Sequence, residues 1–596
     1  MKPHLLLTAI SMCICGTLAA QIIHVPDDQP TIQAGINAAS DGDTVLVDEG
    51  TYVENINFIG KAITVTSWFI IDSDPDHIEY TVIDGSQPVD PDKAAVVTFE
   101  SGEDTTSVIC GFTITGGSGN YIPWVPVVGG GGIACNNAGA SILNNHIEYN
   151  DIVSDYYGEG AGIGAGPSDT DLYLLIRNNR ISHNTLWAHN IGSGGGISIH
   201  TDALIMGNEI SDNLIESFSQ YVNGGGIYSG GGDTYNTVSI TGNVISGNEV
   251  KATSNINYHC SGGGVFIYKN QGEISHNVIA GNGLDGSTIG RGAGVCIAIC
   301  DTSLNIYGNW IHDNYFEGLE CWGGGINLWG AGPKLVNNLV AYNTSSMGGG
   351  IFSYDEHTQS ILLVNNTITE NEAEEIGGGL YLWGSNAIIM NTILWNDFAN
   401  FSYEIAIIDS QLEVLYSDVD GGWPGESNFN ADPEFADDTL FHISWADSPC
   451  WDAGIDQIEI GGIVYYAPDQ DLEGEARPGD AGVDIGADED AMWEGVDGLQ
   501  VASYGLQVFP NPCFGRSEIK YQIAKLVPTN SREIKSVLIQ VNDIHGAVVC
   551  TVVNEKQCSG EHSVFFDTSG LPAGIYLIRL QAGDAVATQK IVVVSH

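Results

Sequence analysis

Two short stretches decide the fold of this chain, Gly194-Gly195-Gly196-Ile197 and Asn208-Glu209-Ile210-Ser211-Asp212-Asn213, because both recur along the sequence. Nine glycine-rich steps occur at intervals of 25 to 38 residues, and Ile, Val or Leu follows each of them. The third position of these steps is Gly132, Gly162, Gly196, Gly226, Gly264, Gly294, Gly325, Gly350 and Gly379.

A second step, Asn-x-[Ile/Val]-x-x-Asn, follows every glycine-rich step. It occurs at Asn145–Asn150, Asn179–Asn184, Asn208–Asn213, Asn243–Asn248, Asn277–Asn282, Asn309–Asn314, Asn338–Asn343, Asn366–Asn371 and Asn391–Asn396. Asn tolerates left-handed backbone at a corner, and its amide can bond to the Asn of the next coil.

This periodicity predicts an all-β fold, a right-handed parallel β-helix (solenoid) in which stacked coils bury a common apolar face. The interval corresponds to a coil of roughly two dozen residues plus one variable loop. We expect these loops between the second Asn and the next glycines, for example at Leu214–Asn223 and Glu249–Ser261.

Charge divides the chain and limits its partners. The formal net charge is −56, and the eight bases and seven acids after residue 499 leave −57 on residues 1–499. This shift predicts a domain boundary near residue 500. So acidic a body excludes nucleic acid as a partner, since phosphate binding needs Lys and Arg. Polyanionic polysaccharides would also be repelled unless bound Ca²⁺, which stays possible, reversed the local charge.

The first twenty residues, Met1–Ala20, have the pattern of a secretory signal peptide, and no segment reaches membrane-spanning length. Ten cysteines remain after its removal. Cys550 and Cys558 are plausible disulfide partners, and Cys260, Cys296 and Cys321 could stack or pair on neighbouring coils. Their spacing does not suit zinc, so we predict no metal site and no required cofactor.

Both ends of the body resemble known β-helix proteins. Ile23-His24-Val25-Pro26-Asp27-Asp28-Gln29-Pro30 and Gly50-Thr51-Tyr52-Val53-Glu54 resemble the opening of the pectin-lyase-like β-helix superfamily. The resemblance implies a short capping helix at about Thr31–Ala39. Asp432-Pro433-Glu434-Phe435 and Val483-Asp484-Ile485-Gly486 resemble the terminal module of such proteins, which implies last coils and a closing cap.

The last ninety-odd residues are similar to the C-terminal sorting domain of the type IX secretion system. The matching stretches are Val508-Phe509-Pro510-Asn511-Pro512, Val541-Asn542-Asp543-Ile544-His545-Gly546 and Leu571-Pro572-Ala573-Gly574-Ile575-Tyr576. The resemblance implies a small C-terminal β-sandwich, which the secretion machinery recognises. It also implies export through the periplasm to the outer-membrane surface or the extracellular space.

These observations predict five segments. They are a signal peptide (1–20), an N-terminal cap with the first coils (21–125), the β-helix repeat region (126–400), the terminal coils with their closing cap (401–495) and the sorting domain (500–596).

Enzymes of the resembled superfamily carry motifs that this sequence lacks. The set of polygalacturonase motifs (Asn-Thr-Asp-Gly, Asp-Asp, Gly-His-Gly, Arg-Ile-Lys) is missing, since Asp-Asp occurs without the other three, and we find no later methylesterase motifs and no lyase motif. The repeat region offers few bases for lyase chemistry: Arg177, Arg180, Lys251, Lys269, Arg291 and Lys334. No catalytic residue can be named.

Aromatic residues mark the outward positions of the glycine-rich strands. Side chains alternate along a strand, so the first and third residues after Gly-Gly-Gly-Ile point outward. These columns hold Tyr228, Phe266, Tyr268, Trp329, Phe352, Tyr354, Tyr381 and Trp383. Coils stack about 4.8 Å apart, close to the rise of one sugar along many glycans. The rings therefore suit sugar stacking or, equally well, a secondary core beneath the loops.

Acidic residues accompany these columns at Asp355-Glu356-His357 and at Asp202 beside His200. Sequence neighbours on a strand face opposite ways, so Asp355 and Glu356 form a poor catalytic pair. Two interpretations stay open. The first is a secreted or cell-surface β-helix protein that binds glycan or adheres without catalysis, and the second is a polysaccharide hydrolase or lyase.

Overall fold

The computed structural model describes most of the chain outside its first residues. The described residues are 20–123, 126–166, 172–218, 221–232, 235–252, 259–286, 289–355, 360–444, 447–479, 481–490, 507–509, 516–523, 534–543, 548–558, 560–568, 571, 574–582 and 585–593. The predicted signal peptide lies outside them, except for Ala20. The chain divides into two compact units, Met1–Ala491 and Met492–His596.

The first unit is a parallel β-solenoid of about 11 turns, as the repeats predict. Its strands form five long sheets, numbered here 1 to 5. Sheet 1 contains Ile22–Val25, Thr44–Val47, Thr64–Ser67, Val108–Cys110, Ala140–Leu143, Tyr173–Arg177, Asp202–Met206, Asn236–Thr241, Asn270–Ser275, Leu304–Tyr307, Lys334–Val336, Ser360–Val364, Asn386–Met390 and Leu412–Leu415. Sheet 2 contains Gly50–Val53, Thr81–Asp84, Thr113–Thr115, His146–Glu148, Arg180–Ser182, Glu209–Ser211, Val244–Ser246, Val278–Ala280, Trp310–His312, Leu339–Ala341, Thr367–Thr369, Ile393–Trp395 and Asp418–Val419.

Sheets 3 and 4 flank the glycine-rich steps, and sheet 5 precedes sheet 4 along the chain. Sheet 3 contains Ile56–Asn57, Val97–Phe99, Ile133–Cys135, Ile163–Ala165, Ile197–Ile199, Ile227–Gly230, Val265–Tyr268, Val295–Ala298, Ile326–Trp329, Ile351–Tyr354, Leu380–Trp383 and Ile405–Ile408. Sheet 4 contains Lys93–Ala94, Gly119–Ile122, Val127–Gly129, Tyr157–Glu159, Ile191–Ser193, Tyr221–Asn223, His259–Ser261, Ile289–Arg291, Cys321–Trp322, Thr344–Met347, Glu372–Ile376 and Phe398–Phe401. Sheet 5 contains Asp151–Ser154, Thr185–Ala188, Leu214–Ser217, Glu249–Ala252, Gly283–Asp285 and Tyr315–Glu317.

Each coil passes through sheets 3, 1 and 2, through sheet 5 where present, and then through sheet 4 to the next glycines. The segments Leu214–Asn223 and Glu249–Ser261, predicted as loops, therefore consist largely of strands of sheets 5 and 4. The lengths of these segments differ because the number of residues between the two strands differs from coil to coil.

The core consists of apolar columns along the solenoid axis. Ile133, Ile163, Ile197 and Ile227 are fully buried and follow one another in register on sheet 3. Burying one such side chain contributes about 1.5–3 kcal/mol, so a single coil gains stability mainly by stacking on the next. The predicted capping helix spans Ile32–Ala38, and its Ile32 and Ile36 extend this core at the N-terminal end.

The asparagines form two buried ladders. Asn179 illustrates the pattern: its backbone N–H and its Nδ2 both donate to Oδ1 of Asn208, at 2.9 and 3.0 Å, and Nδ2 also donates to the Ile142 carbonyl. The left-handed residue of the corner is the neighbour before each ladder Asn, for example Asn178 at φ 55°. The expected left-handed role of the ladder asparagines themselves is therefore wrong, although their coil-to-coil amide bonds are confirmed.

The last asparagine step is shifted by one residue from the prediction. Asn366 and Asn371 donate to Thr392 Oγ1 and Asp397 Oδ1 on the next coil. Asn391 and Asn396 occupy instead the preceding, left-handed positions, at φ 49° and 59°. Asn suits both kinds of position, and the sequence match therefore chose the wrong neighbour.

Among the described residues of the body, the cysteines are buried and form no disulfide, including Cys260, Cys296 and Cys321. In the second unit, Cys550 is also free, and both Cys550 and Cys558 lie on the strand Val548–Cys558. Eight residues along a strand span about 26 Å, far beyond the roughly 7 Å Cα separation that a disulfide allows. The suggested bridge between them is therefore wrong.

The remaining elements are few. Two short helices, Phe69–Asp72 and Asp76–Tyr80, and one hairpin, Gln457–Ile460 with Ile463–Tyr466, lie in the first unit. The second unit has two antiparallel sheets that share one hydrophobic cluster. The first contains Gln507–Phe509, Arg516–Ile523 and Gly560–Asp567, and the second contains Val548–Cys558, Ile534–Asp543, Gly574–Ala582 and Ala585–Val593. The β-sandwich itself stays a prediction.

Candidate functional site

The glycine-rich steps bring sheets 4 and 3 together along one side of the solenoid. The first glycine of the step is left-handed, as at Gly160 with φ 62°, and the third packs against the next coil. A Cβ at Gly162 would approach the Gly196 carbonyl to 2.6 Å. Only glycine fits this turn, and after it the side chains on either side of the step face each other. We call the space between them the aromatic cleft.

Three columns of side chains build this cleft. The bottom column, the first residue after each apolar position, is Ser198, Tyr228, Phe266, Cys296, Asn327, Phe352, Tyr381 and Ala406. The rim column, two residues further on, is Gly230, Tyr268, Ala298, Trp329, Tyr354, Trp383 and Ile408. The wall column, directly before the glycines on sheet 4, is Ser193, Asn223, Ser261, Arg291, Trp322, Met347, Ile376 and Phe401.

The bottom column is a secondary core. Phe266, Phe352 and Tyr381 are buried, and Tyr228, which is half-buried, stacks on Phe266 with ring centroids 5.5 Å apart. Burial raises the pKa of the Tyr228 and Tyr381 phenols. Three of the predicted sugar-stacking residues, Tyr228, Phe266 and Tyr381, therefore lie where a glycan cannot reach the faces of their rings.

The rim column holds the accessible rings. Trp329 and Trp383 are each 38% exposed, and Tyr354 between them is half-buried with its ring edge-on to Trp383 at 5.5 Å. Tyr268 lies two strands before Trp329, under the Lys269 ammonium, which is 5.4 Å from its ring centroid. The structure thus brings together four of the eight predicted residues on one accessible edge.

The wall column contributes two residues that the sequence reasoning missed. Trp322 stacks on Phe352 at 5.5 Å, and Arg291 lies over the Trp329 ring at 4.3 Å and near Trp322 at 5.4 Å. Both residues directly precede a glycine-rich step. The left-handed first glycine of that step turns the chain, so that the side chain before it lies over the cleft. This fixed spacing from the glycines is the signal that could have identified them.

The acids near the cleft are engaged in the fold. Asp355 is buried beside Tyr354, and Glu320 accepts a 2.8 Å bond from Trp322 Nε1. Asp202 accepts the Thr237 backbone N–H at 2.7 Å, and His200 pairs with Glu159 at 3.4 Å. Glu356 and His357 lie outside the described residues.

A second concave surface lies at the second asparagine corner. This groove, of about 460 Å³, is lined by Tyr149, Asp151, His183, Thr185, Asp212, Asn213, Leu214, Gly247 and Glu249. Tyr149 stacks on His183 at 5.2 Å, and three carboxylates face the groove from neighbouring coils. We call it the acidic groove.

One cluster has the residue types of a metal site. Ligand atoms of His442, Glu473 and Asp488, in the terminal cap, lie within 4.8 Å of one another. His442 already bonds to Asp437 and to Glu473, and these two carboxylates raise its pKa to about 11 despite burial. The cluster is therefore complete as an ion-pair network that joins the segments of the cap.

Comparison with known families agrees with this architecture. Residues 244–398 match the right handed beta helix region, and residues 507–594 match the secretion system C-terminal sorting domain. No curated protein and no solved structure matches the chain. Within the described residues, no helix is both long and apolar enough to cross a membrane. The chain is a right-handed β-helix protein with a type IX sorting domain, which directs it to the cell surface or the extracellular space.

Proposed function

We propose that the exported β-helix binds a glycan along the rim of the aromatic cleft, as a non-catalytic glycan-binding or adhesion protein. The observation that carries this proposal is the register of Trp329, Tyr354 and Trp383 on three successive strands, with both tryptophans well exposed. Successive strands are about 4.8 Å apart, a spacing that suits successive sugars stacked on successive rings.

The parallel solenoid supports this function through its rigidity. The bottom and wall columns hold the rim ring of Tyr354, because it packs in one cluster with Phe352, Tyr381 and Trp322. A ring that is already held loses little conformational entropy when a sugar stacks on it. Each aromatic contact contributes about 0.5–1.5 kcal/mol, and a row of them therefore gives useful affinity without a deep pocket.

The proposal is tested with the full chain and the double variant Trp329→Ala plus Trp383→Ala. A glycan array identifies a ligand, and calorimetry measures its affinity. We expect at least tenfold weaker binding, about 1.4 kcal/mol, by the double variant. The control is Tyr466→Ala, which removes a more exposed ring from the terminal hairpin and should leave affinity unchanged. Unchanged affinity in the double variant, or no bound glycan at all, would contradict the proposal.

A polysaccharide-active enzyme of the pectin-lyase-like superfamily is the second candidate, and the acidic groove is the observation that favours it. Asp151, Asp212 and Glu249 line this groove from different coils, and glycoside hydrolysis uses two carboxyl groups about 5–9.5 Å apart. Incubation of the bound glycan with the protein separates the two functions. Steady release of reducing or unsaturated ends, abolished by Asp151→Asn, would establish the enzyme.

A further inference from the structure

Arg291 occupies a gap in the aromatic row of the rim. The rim residue that follows Arg291 along the chain is the small Ala298, which lies between Tyr268 and Trp329 in the rim column. The guanidinium reaches across from the wall column and lies over the Trp329 ring at 4.3 Å. A cation over an aromatic face is attracted by the ring, by up to about 2 kcal/mol where water is excluded. Arg291 therefore takes the place of a ring in the row.

This arginine has no anionic partner among the described residues. It is only 9% exposed, and its Nε is enclosed without a hydrogen bond. Two other bases of the repeat region are paired, Arg180 with Glu148 and Lys251 with Glu249. Burial lowers the pKa of Arg291, yet a guanidinium stays charged in proteins.

A buried charge that lacks a counter-ion is costly, and natural proteins pair such groups. The chain carries 74 acidic residues, so a partner for Arg291 was readily available to this sequence. The protein instead holds the guanidinium against Trp329, which is 38% exposed at the rim. Lys269, over the Tyr268 ring, adds a second cation on the same rim.

We propose that Arg291 forms an oxyanion subsite within the glycan-binding rim. The subsite takes the carboxylate or the sulfate ester of one acidic sugar, while neutral sugars on either side stack on the rim rings. The planar guanidinium matches such oxyanions with parallel hydrogen bonds. This inference rests on the proposed function and names the class of glycan that the rim selects.

The charge of the body limits how acidic this glycan can be. Residues 1–499 carry a net charge of −57, which repels a polyanion. A single acidic sugar among neutral ones meets Arg291 without bringing further negative charge to the acidic surface. We therefore expect sparse acidic substitution to be favoured over both a neutral chain and a fully charged one.

The test uses oligosaccharides with one backbone and four forms: neutral, singly carboxylated, singly sulfated and fully charged. The wild-type chain should bind a singly charged form about tenfold more tightly than the neutral form, as expected for a charge-assisted hydrogen bond. The carboxylated and sulfated forms show which oxyanion is preferred. Arg291→Gln should abolish the preference, so that this variant binds the neutral and the singly charged forms with equal affinity. Lys334→Gln, an exposed base on sheet 1, is the matched control and should keep it.

The outcomes separate this inference from the proposed function. If the rim binds the neutral and singly charged forms equally, or the preference survives Arg291→Gln, the oxyanion subsite is wrong while glycan binding stands. Tightest binding of the fully charged form also overturns it. If no form binds, the proposed function itself fails. Arg291→Lys provides a second variant that keeps the charge: it should retain part of the preference, lost at high salt because the interaction is ionic.

Discussion

The asparagine corners and the aromatic cleft use the same in-register stacking but opposite kinds of sequence. At the corners the same residue type recurs coil after coil, and each amide satisfies the one before it. In the cleft the equivalent positions differ on almost every coil, from Ser to Arg, Trp and Met in the wall column. Repetition thus marks the positions that hold the coils together, and variation marks the positions that are free to carry function.

Removing one ladder residue should have the largest effect, because it tests directly whether the repeated asparagines hold the coils together. Asn179→Ala removes the acceptor of the Asn145 backbone N–H and of one Asn145 Nδ2 hydrogen, and the donor to the Ile142 carbonyl, in a buried site. Each orphaned group costs about 1–3 kcal/mol, so we expect the free energy of unfolding to fall by about 4–6 kcal/mol. Urea unfolding followed by circular dichroism measures this loss.

The neighbouring residue provides the control for that experiment. Asn178 is exposed and left-handed, at φ 55°, where glycine is well tolerated. Asn178→Gly should therefore change the unfolding midpoint very little. Equal losses from the two variants would show that the ladder bonds contribute no more than the corner conformation.

The two aromatic columns of the cleft allow a second contrast within one strand. Phe352 is fully buried in the bottom column, and Tyr354, two residues later, is half-buried on the rim. Phe352→Ala should cost about 3–4 kcal/mol of unfolding free energy because it leaves a cavity. Tyr354→Ala should cost about 1 kcal/mol, since its ring is only partly buried and leaves no enclosed cavity.

Glycan affinity should respond in the opposite order. Tyr354→Ala should weaken binding, whereas the milder variant Phe352→Leu, which keeps the bottom of the cleft filled, should leave it unchanged. Calorimetry on the folded variants measures both. Loss of binding in Phe352→Leu with full binding in Tyr354→Ala would reverse the assignment of core and rim.

The sequence predicts the coils and the outward columns because strand alternation fixes which residues face the core. It does not predict which outward residues stay exposed. That depends on the left-handed glycine, which folds the wall residue of one strand over the bottom residue of the next, as Trp322 does over Phe352. The contribution of Arg291 depends on the same long-range turn and on the small Ala298 beside it. These contacts join different sheets, and no local pattern encodes them.

The second asparagine ladder ends at a buried carboxyl pair in place of another asparagine. Asp397 takes the ladder position there, accepts both amide bonds of Asn371 and lies against the buried Glu404, whose carboxylate accepts the Asp397 N–H at 3.0 Å. Burial raises the pKa of both carboxyl groups. The folded protein therefore keeps a proton at a pH where the unfolded chain, with carboxyl pKa values of about 4, has released it.

Stability should consequently fall as the pH rises. A raised carboxyl pKa means that the contribution is fully present below about pH 4 and is lost as the pH approaches the folded value. For each retained proton the free energy of unfolding should decrease by about 1.4 kcal/mol per pH unit between about pH 5 and 7. Asp397→Asn restores a ladder amide and should make this slope shallower, whereas the corner variant Asn178→Gly, which changes no titratable group, should keep the wild-type slope. Urea midpoints at pH 5, 6 and 7 decide the matter, and parallel slopes for wild type and Asp397→Asn would show that the buried pair does not hold the proton.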